Sequence, residues 1–83
     1  MNKEELITKL KVIVKPYIQD EEAFKSMNSD TDFINDLKIN SANLVDVILD
    51  IEDEFNIEID PESMEKMLDV KSAMDIITAK LSL

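Results

Sequence analysis

Apolar side chains recur three or four residues apart in several stretches of the chain, which is the pattern of amphipathic helices. The first stretch predicts a helix over residues 3 to 15, with Asn2 as its cap. Because proline cannot continue a helix, Pro16 is expected to mark its frayed end. The positions expected to face the core are Leu6, Leu10, Ile13 and Tyr17.

The second predicted helix begins at Ser41 or Ala42, ends at Phe55 and carries the clearest apolar stripe of the chain. That stripe consists of Leu44, Val47, Ile48, Ile51 and Phe55. Val45 and Leu49 lie beside the stripe, and we expect them to be partly exposed. The acids of this helix are expected to point largely away from the core, and they are Asp46, Asp50, Asp53 and Glu54.

Two further helices are predicted after an extended connector at residues 56 to 59. Asp60 followed by Pro61 predicts a short helix over residues 61 to 67, since a capping acid and a proline at the first helical position favour a helix start. Asp69 can cap a last helix over residues 70 to 81. Its expected inward positions are Val70, Ala73, Met74, Ile77 and Leu81.

Residues 16 to 40 form an unusually long connection for a compact domain, which predicts a functional loop or a loop with short turns of its own. Ser29, with Asp32 three residues later, predicts the start of a short helical turn across residues 33 to 37. The side chains expected to pin the connection to the core are Ile18, Phe24, Met27, Phe33, Ile34, Leu37 and Ile39. The predicted fold is all-α, with residues 1–83 forming a single domain. It is a small four-helix bundle of three longer helices and one short one, with a long loop between the first two.

Composition limits the chemistry that such a chain performs alone. A chain of 83 residues buries only about 60% of its unfolded surface on folding, which leaves little room for an enclosed active site. Cysteine and histidine are absent from the sequence, and with them the usual nucleophile, general base and soft metal ligands. We therefore expect no catalytic residue and no metal site. No apolar run approaches the roughly 20 residues of a membrane span, so we expect a cytoplasmic protein without membrane contact.

Charge indicates the kind of partner. The net charge of -10 argues against nucleic acid, whose phosphates would repel the chain, and favours a basic partner protein. Between residues 39 and 65 there are nine acids and no lysine. A calcium loop is not expected, because the chain lacks glycine and the Asp-x-Asp-x-Asp-Gly pattern. Self-repelling charge also favours a monomer.

Three motifs together resemble the acyl carrier protein family. They are Asp32-Phe33-Ile34-Asn35-Asp36-Leu37, then Asn40-Ser41, then Glu52-Asp53-Glu54-Phe55-Asn56-Ile57-Glu58-Ile59. The resemblance implies that a phosphopantetheinyl transferase, using magnesium and coenzyme A, attaches 4′-phosphopantetheine covalently to the Ser41 oxygen. Acyl intermediates would then travel as thioesters on the arm. The alternative for Ser41 is an ordinary helix cap, because serine and asparagine are favoured at helix starts.

The resemblance also implies a partner surface on the second helix. Partners of this kind are acyl-ACP synthetases, ketosynthases and acyltransferase-type enzymes with basic patches. The candidate recognition residues are Asn40, Ala42, Asn43, Val45, Asp46, Leu49, Asp50, Glu52, Asp53 and Glu54, with Glu58 and Asp60 as extensions. The alternative is an ordinary solvated face, although such a face normally mixes charges of both signs.

The serine motif departs from the family pattern, which usually reads Gly-x-Asp-Ser-Leu-(Asp). The corresponding residues here are Lys38-Ile39-Asn40-Ser41-Ala42-Asn43. Two acids are replaced by amides and a leucine by alanine. Our hypothesis is a dedicated carrier in a specialised lipid, fatty-acid or polyketide-type pathway. The alternative is an unmodified acidic helical adaptor that binds a basic protein.

Methionine is the remaining compositional signal. The chain has five methionines and few aromatic residues, which would suit an interior that adapts to an acyl chain. The expected adaptable wall consists of Met64, Met67 and Met74, although close packing alone is the ordinary role of such residues.

Overall fold

The computed structural model describes residues 2–81, and five α-helices form within this range. They are α1 (Lys3–Val14), α2 (Glu21–Lys25), α3 (Ser41–Phe55), α4 (Pro61–Lys66) and α5 (Val70–Leu81), with a 3-10 turn at Lys15–Tyr17 after α1. The all-α prediction of a small helical bundle is confirmed, with α1, α3 and α5 as the three long helices. The predicted count of one short helix is wrong, because residues 2–81 contain two short helices, α2 and α4.

The start of α1 follows the sequence prediction, and its end differs slightly. The Asn2 side-chain oxygen accepts a hydrogen bond from the Glu5 backbone N–H at 2.8 Å. The helix ends at Val14, and the chain then tightens into the 3-10 turn that contains Pro16. Because Pro16 has no N–H to donate, the regular α pattern stops there.

The inward face of α1 agrees with the predicted set at two of its four positions. Leu6 and Leu10 are buried as expected, and so is Val14, which was not predicted. Ile13 and Tyr17 are only half-buried and pack against the edge of the core. The core therefore passes beneath the last turn of the helix at Val14.

The long connection between α1 and α3 contains α2. Asp20 caps this helix, since its side-chain oxygen accepts a hydrogen bond from the Ala23 N–H at 3.0 Å. Within the connection, Met27, Phe33, Leu37 and Ile39 are buried. Ile18, Phe24 and Ile34 are half-buried against the core. The predicted pinning of the connection is therefore confirmed.

The turn predicted over residues 33 to 37 is present, but its cap is Asp32. Its side-chain oxygen accepts hydrogen bonds from the N–H groups of Ile34 at 2.9 Å and Asn35 at 2.8 Å. Ser29 was expected to start the turn, and that prediction is wrong. Its carbonyl instead accepts a hydrogen bond from the Lys71 N–H at 3.0 Å. The segment forms hydrogen-bonded turns without a regular helix.

A short extended contact joins this connection to the chain before α5. The Phe33 N–H donates to the Leu68 carbonyl at 3.0 Å, and the Val70 N–H donates to the Thr31 carbonyl at 2.9 Å. Thr31 is buried, and its hydroxyl accepts a hydrogen bond from the Asn28 N–H at 2.9 Å. These bonds satisfy polar groups that burial would otherwise penalise.

The core lies between the long helices. α1 packs against both α3 and α5, and α4 packs against α5. The predicted stripe of α3 is confirmed, because all five of its residues are buried: Leu44, Val47, Ile48, Ile51 and Phe55. Val45 and Leu49 are 51% and 47% exposed, as expected.

α5 keeps four of its five predicted inward positions. Val70, Ala73, Met74 and Ile77 are buried. Leu81 was expected to face the core, but it is 44% exposed, because the helix runs past the end of the packed interior. The predicted cap is confirmed, since an Asp69 side-chain oxygen accepts a hydrogen bond from the Ser72 N–H at 2.7 Å. None of the helices within residues 2–81 is long and apolar enough to cross a membrane.

Candidate functional site

Ser41 is the first residue of α3 and lies at the surface. The preceding residue, Asn40, caps the helix: its side-chain oxygen accepts a hydrogen bond from the Ala42 N–H at 2.9 Å. The Asn40 carbonyl also accepts hydrogen bonds from the N–H groups of Asn43 at 2.8 Å and Leu44 at 3.1 Å. The alternative in which Ser41 caps the helix is therefore wrong.

The hydroxyl of Ser41 has no structural task in the described part of the chain. Neither this hydroxyl nor the Ser41 backbone N–H forms a hydrogen bond within residues 2–81. No acid lies in the first turn of α3. An oxygen-linked phosphate would thus meet an unpaired N–H and the positive end of the helix dipole, with no like charge in that turn. The residues present fit such a group.

The backbone that leads into Ser41 is held on both sides of Lys38. Leu37 and Ile39 are 0% and 1% exposed. The Leu37 carbonyl accepts a hydrogen bond from the Gln19 N–H at 3.0 Å, and the Ile39 N–H donates to the Phe33 carbonyl at 3.1 Å. These anchors fix the approach of the chain to the start of α3.

Lys38, between the two anchors, adopts a φ of 60°. This left-handed conformation costs a residue with a side chain roughly 1–2 kcal/mol and favours glycine. In the serine motif described above, Lys38 stands where the family pattern has glycine. The sequence analysis did not single out this substitution, and only the structure shows that the backbone at position 38 has a positive φ.

The other departures from the family motif lie on the surface. Asn40, Ala42 and Asn43 are all exposed, and none of their side chains contributes to the buried core. Of the three, only Asn40 has a structural task, which is the cap of α3, and aspartate caps helices equally well. The fold therefore does not require the amides or the alanine at these positions.

Two of the acids of α3 are engaged by the segment around α1. The Tyr17 hydroxyl donates a hydrogen bond to an Asp50 carboxylate oxygen at 2.9 Å. The Lys9 ammonium forms an ion pair with Glu54 at 3.5 Å. Because Asp50 and Glu54 are four residues apart, they lie on the same edge of the helix. The sequence analysis expected Tyr17 to face the core. It predicted neither the hydrogen bond of Asp50 nor the ion pair of Glu54, since no local signal pairs residues so far apart.

Glu52 has a different environment from the other acids. It is half-buried, and its carboxylate accepts a hydrogen bond from the Ile59 backbone N–H at 2.6 Å. Its carbonyl accepts hydrogen bonds from the N–H groups of Asn56 and Ile57. Glu52 therefore holds the extended connector against the end of α3. The sequence assigned it only to partner recognition.

Five exposed side chains on the side of α3 away from the core form what we call the outer strip: Ala42, Val45, Asp46, Leu49 and Asp53. Successive residues of a helix are turned by about 100°, which places this strip opposite the buried stripe. The carboxylates of Asp46 and Asp53 form no hydrogen bond or ion pair with the described residues. The strip offers apolar side chains beside two uncommitted negative charges.

Glu58 and Asp60, the two candidate extensions of the recognition surface, differ in whether they have an ion-pair partner. Glu58 is exposed and has no ion-pair partner within residues 2–81. Asp60 lies 3.8 Å from the Lys80 ammonium. Within the same range, no group of three or more acidic, cysteine or histidine side chains is arranged to hold a metal ion.

Comparisons with known proteins point to one family. The family model described as the phosphopantetheine attachment site matches residues 13–78. The acyl carrier protein of Coprothermobacter proteolyticus is 36% identical over 81 residues, which cover 98% of this chain and 96% of that protein. The acyl carrier protein of Petrotoga mobilis is 32% identical over 83 residues, covering 100% and 95%. A solved structure of the acyl carrier protein from Enterococcus faecalis is similar with a TM-score of 0.74 at 27% identity, covering 96% of this chain and 99% of that one.

Proposed function

Because this chain belongs to the acyl carrier protein family, whose members are non-catalytic carriers of phosphopantetheine, we propose that Ser41 is the residue to which its 4′-phosphopantetheine is attached. The observation that carries this proposal is the state of the Ser41 hydroxyl. It is exposed at the first position of α3, and Asn40 performs the capping that would otherwise occupy it.

The attached group would provide a thiol on a long arm, which holds acyl intermediates as thioesters in a chain that has no cysteine of its own. The part played by the chain is to present the serine oxygen. Within residues 2–81 no side chain accepts a hydrogen bond from the Ser41 hydroxyl and could serve as its base, so we assign removal of the hydroxyl proton to the transferase. The unpaired Ser41 N–H and the helix dipole favour the phosphate once it is attached.

Membership of the family implies interaction with a phosphopantetheinyl transferase and with acyl-handling enzymes. We propose that these partners place a basic patch on the outer strip of α3. The support is the pairing of exposed Val45 and Leu49 with the uncommitted carboxylates of Asp46 and Asp53. Charge there steers a basic partner, while the apolar side chains supply contact area. Asp50 and Glu54 lie on the edge toward α1 and contribute less, because each already has a partner.

We further propose a dedicated carrier for fatty-acyl or polyketide-type intermediates, acting in the cytoplasm as a monomer formed by one domain of residues 1–83. The support lies at Asn40, Ala42 and Asn43, which are exposed beside Ser41 and lack the charges and the leucine of the usual motif. Enzymes that recognise that motif would lose contacts on this surface. Partners adapted to amides and alanine would not.

Attachment is tested by the mass of the intact protein. The chain is incubated with coenzyme A, magnesium and a broad-specificity transferase, beside Ser41→Ala and the matched control Ser63→Ala, which alters a serine in the first turn of α4. We expect one phosphopantetheinyl increment in the parent and in Ser63→Ala, and none in Ser41→Ala. An unmodified parent, even with the transferase of its source organism, would favour the acidic adaptor.

The dedicated role is tested by restoring the usual motif. The triple variant Asn40→Asp, Ala42→Leu, Asn43→Asp changes only exposed side chains and keeps a capping residue at position 40. We expect a housekeeping fatty-acid synthase enzyme to turn over this variant faster than the parent. Equal turnover of both proteins would remove the basis for a dedicated carrier.

A further inference from the structure

Lys38 is an isolated cation in an acidic part of the chain. It is the only lysine between Lys25 and Lys66, and the sequence contains only nine basic residues in all. Its side chain is exposed and forms no ion pair with the described residues. Its charge is therefore available to a group outside the fold.

The backbone conformation of Lys38 shows that a side chain is accommodated here against a steric penalty. The φ of 60° is imposed by the buried neighbours Leu37 and Ile39, whose backbone groups are hydrogen-bonded on either side. Glycine would adopt the same conformation without the penalty. Strained positions of this kind are concentrated at functional sites.

Lys38 also lies close to the attachment point. Three residues of chain span at most about 10 Å, so the Cα atoms of Lys38 and Ser41 cannot be farther apart than this. The flexible four-carbon stem of lysine can reach across much of that distance. A phosphodiester on Ser41 would carry a permanent negative charge, and the first turn of α3 contains no acidic residue to compete for the ammonium.

We propose that Lys38 is a positioning residue for the phosphopantetheine arm, with its ammonium paired to the phosphodiester on Ser41. This inference rests on the proposed attachment at Ser41. The ion pair holds the phosphodiester end of the arm close to the segment at residues 37–40. It also neutralises the negative charge of the phosphate at the start of α3. The positive charge at position 38 is then part of the carrier site.

The test uses the phosphorus resonance of the modified protein, which reports on the phosphodiester without any enzymatic assay. Wild type, Lys38→Gly and Lys38→Arg are compared, with Lys71→Gln as a control that removes an exposed lysine on α5. Spectra are recorded between about 10 mM and about 1 M salt, a range over which the Debye length falls from about 30 Å to about 3 Å.

We expect the resonance of wild type, Lys38→Arg and Lys71→Gln to move with salt, and that of Lys38→Gly to lack this movement. Rescue by arginine identifies the charge as the cause, since a purely structural role at φ 60° would favour glycine. Identical salt responses of wild type and Lys38→Gly would overturn the pairing while leaving attachment at Ser41 intact. Failure of Ser41 to be modified at all would overturn both proposals.

Discussion

The Tyr17 hydroxyl donates a hydrogen bond to the Asp50 carboxylate at 2.9 Å, which joins the 3-10 turn after α1 to the middle of α3. This bond raises the pKa of Tyr17 above its ordinary value of 10.0, with further contributions from partial burial and from the charges of Asp50 and Asp46. The neutral phenol is the hydrogen-bond donor, so the folded state favours that form.

The first prediction concerns the titration of this tyrosine. Asp50→Ala removes both the acceptor and the nearest charge, so the pKa of Tyr17 should fall toward 10.0. Tyrosinate absorbance gives a direct measurement, because the chain has one tyrosine and no tryptophan. The matched control is Asp53→Ala, which removes an acid from the outer strip. An unchanged pKa in Asp50→Ala would contradict the hydrogen bond.

The same bond predicts a pH dependence of stability. Because the pKa of Tyr17 is raised in the folded state, its contribution to stability is complete below 10.0 and is lost as the pH rises through the raised value. The difference in unfolding free energy between wild type and Asp50→Ala should therefore shrink at strongly alkaline pH. Urea unfolding at neutral and alkaline pH measures it; a difference that grows with pH would contradict this assignment.

The second prediction concerns Glu52. Glu52→Ala leaves the Ile59 N–H without its acceptor, which should lower the unfolding free energy by about 1–3 kcal/mol. Glu52→Gln keeps an acceptor oxygen and should lose less. The neighbouring exposed acid provides the control, since Asp53→Ala should change stability by no more than about 0.5 kcal/mol. Equal effects of Glu52→Ala and Asp53→Ala in denaturant unfolding would argue against a stabilising role of the hydrogen bond between Glu52 and Ile59.

The third prediction concerns the conformation of Lys38. Lys38→Gly should raise the unfolding free energy by about 1 kcal/mol, because glycine adopts the positive φ without steric cost. Asn56 has a φ of 54°, and asparagine tolerates this region better than lysine does. Asn56→Gly should therefore give a smaller gain. A loss of stability in Lys38→Gly, measured by denaturant unfolding, would show that the lysine side chain itself stabilises the fold.

The fourth prediction compares the acids of α3 that have a partner within the fold with those that have none. Asp46→Asn and Asp53→Asn should each lower kcat/KM of the transferase by about two- to five-fold at low salt, because their charges are free to meet a basic partner. The loss should fade at high salt. Asp50→Asn and Glu54→Gln are the matched controls and should cost less. Equal losses at all four positions would mean that the partner does not distinguish the outer strip from the edge toward α1.

The fifth prediction concerns the methionines expected to line an adaptable interior. Met67 and Met74 are buried, and Met64 is half-buried against the core. When an octanoyl chain is loaded onto the arm as a test cargo, we expect it to enter this interior and to move the methyl resonances of Met67 and Met74 in methionine-labelled protein. Met27, buried in the long connection, provides the comparison within the same sample. Resonances of Met67 and Met74 that stay in place would count against entry of the acyl chain.

Elements with strong local signals were predictable. The buried stripe of α3 agrees residue by residue with its sequence pattern, because a 15-residue amphipathic helix repeats that pattern over four turns. Asn2 and Asp69 cap their helices as expected, since a cap acts over only two or three residues. The five-residue α2 was not predicted, because so short a helix cannot display a repeating apolar face.

The sequence by itself determined that the chain is a helical bundle and that its most regular helix begins at Ser41 or Ala42, because propensity, capping and periodicity act between near neighbours. Only the tertiary structure decided which acids of that helix remain free. Tyr17 meets Asp50 across 33 positions, and Lys9 meets Glu54 across 45. Such pairs depend on how α1 packs against α3, and no local pattern records that packing.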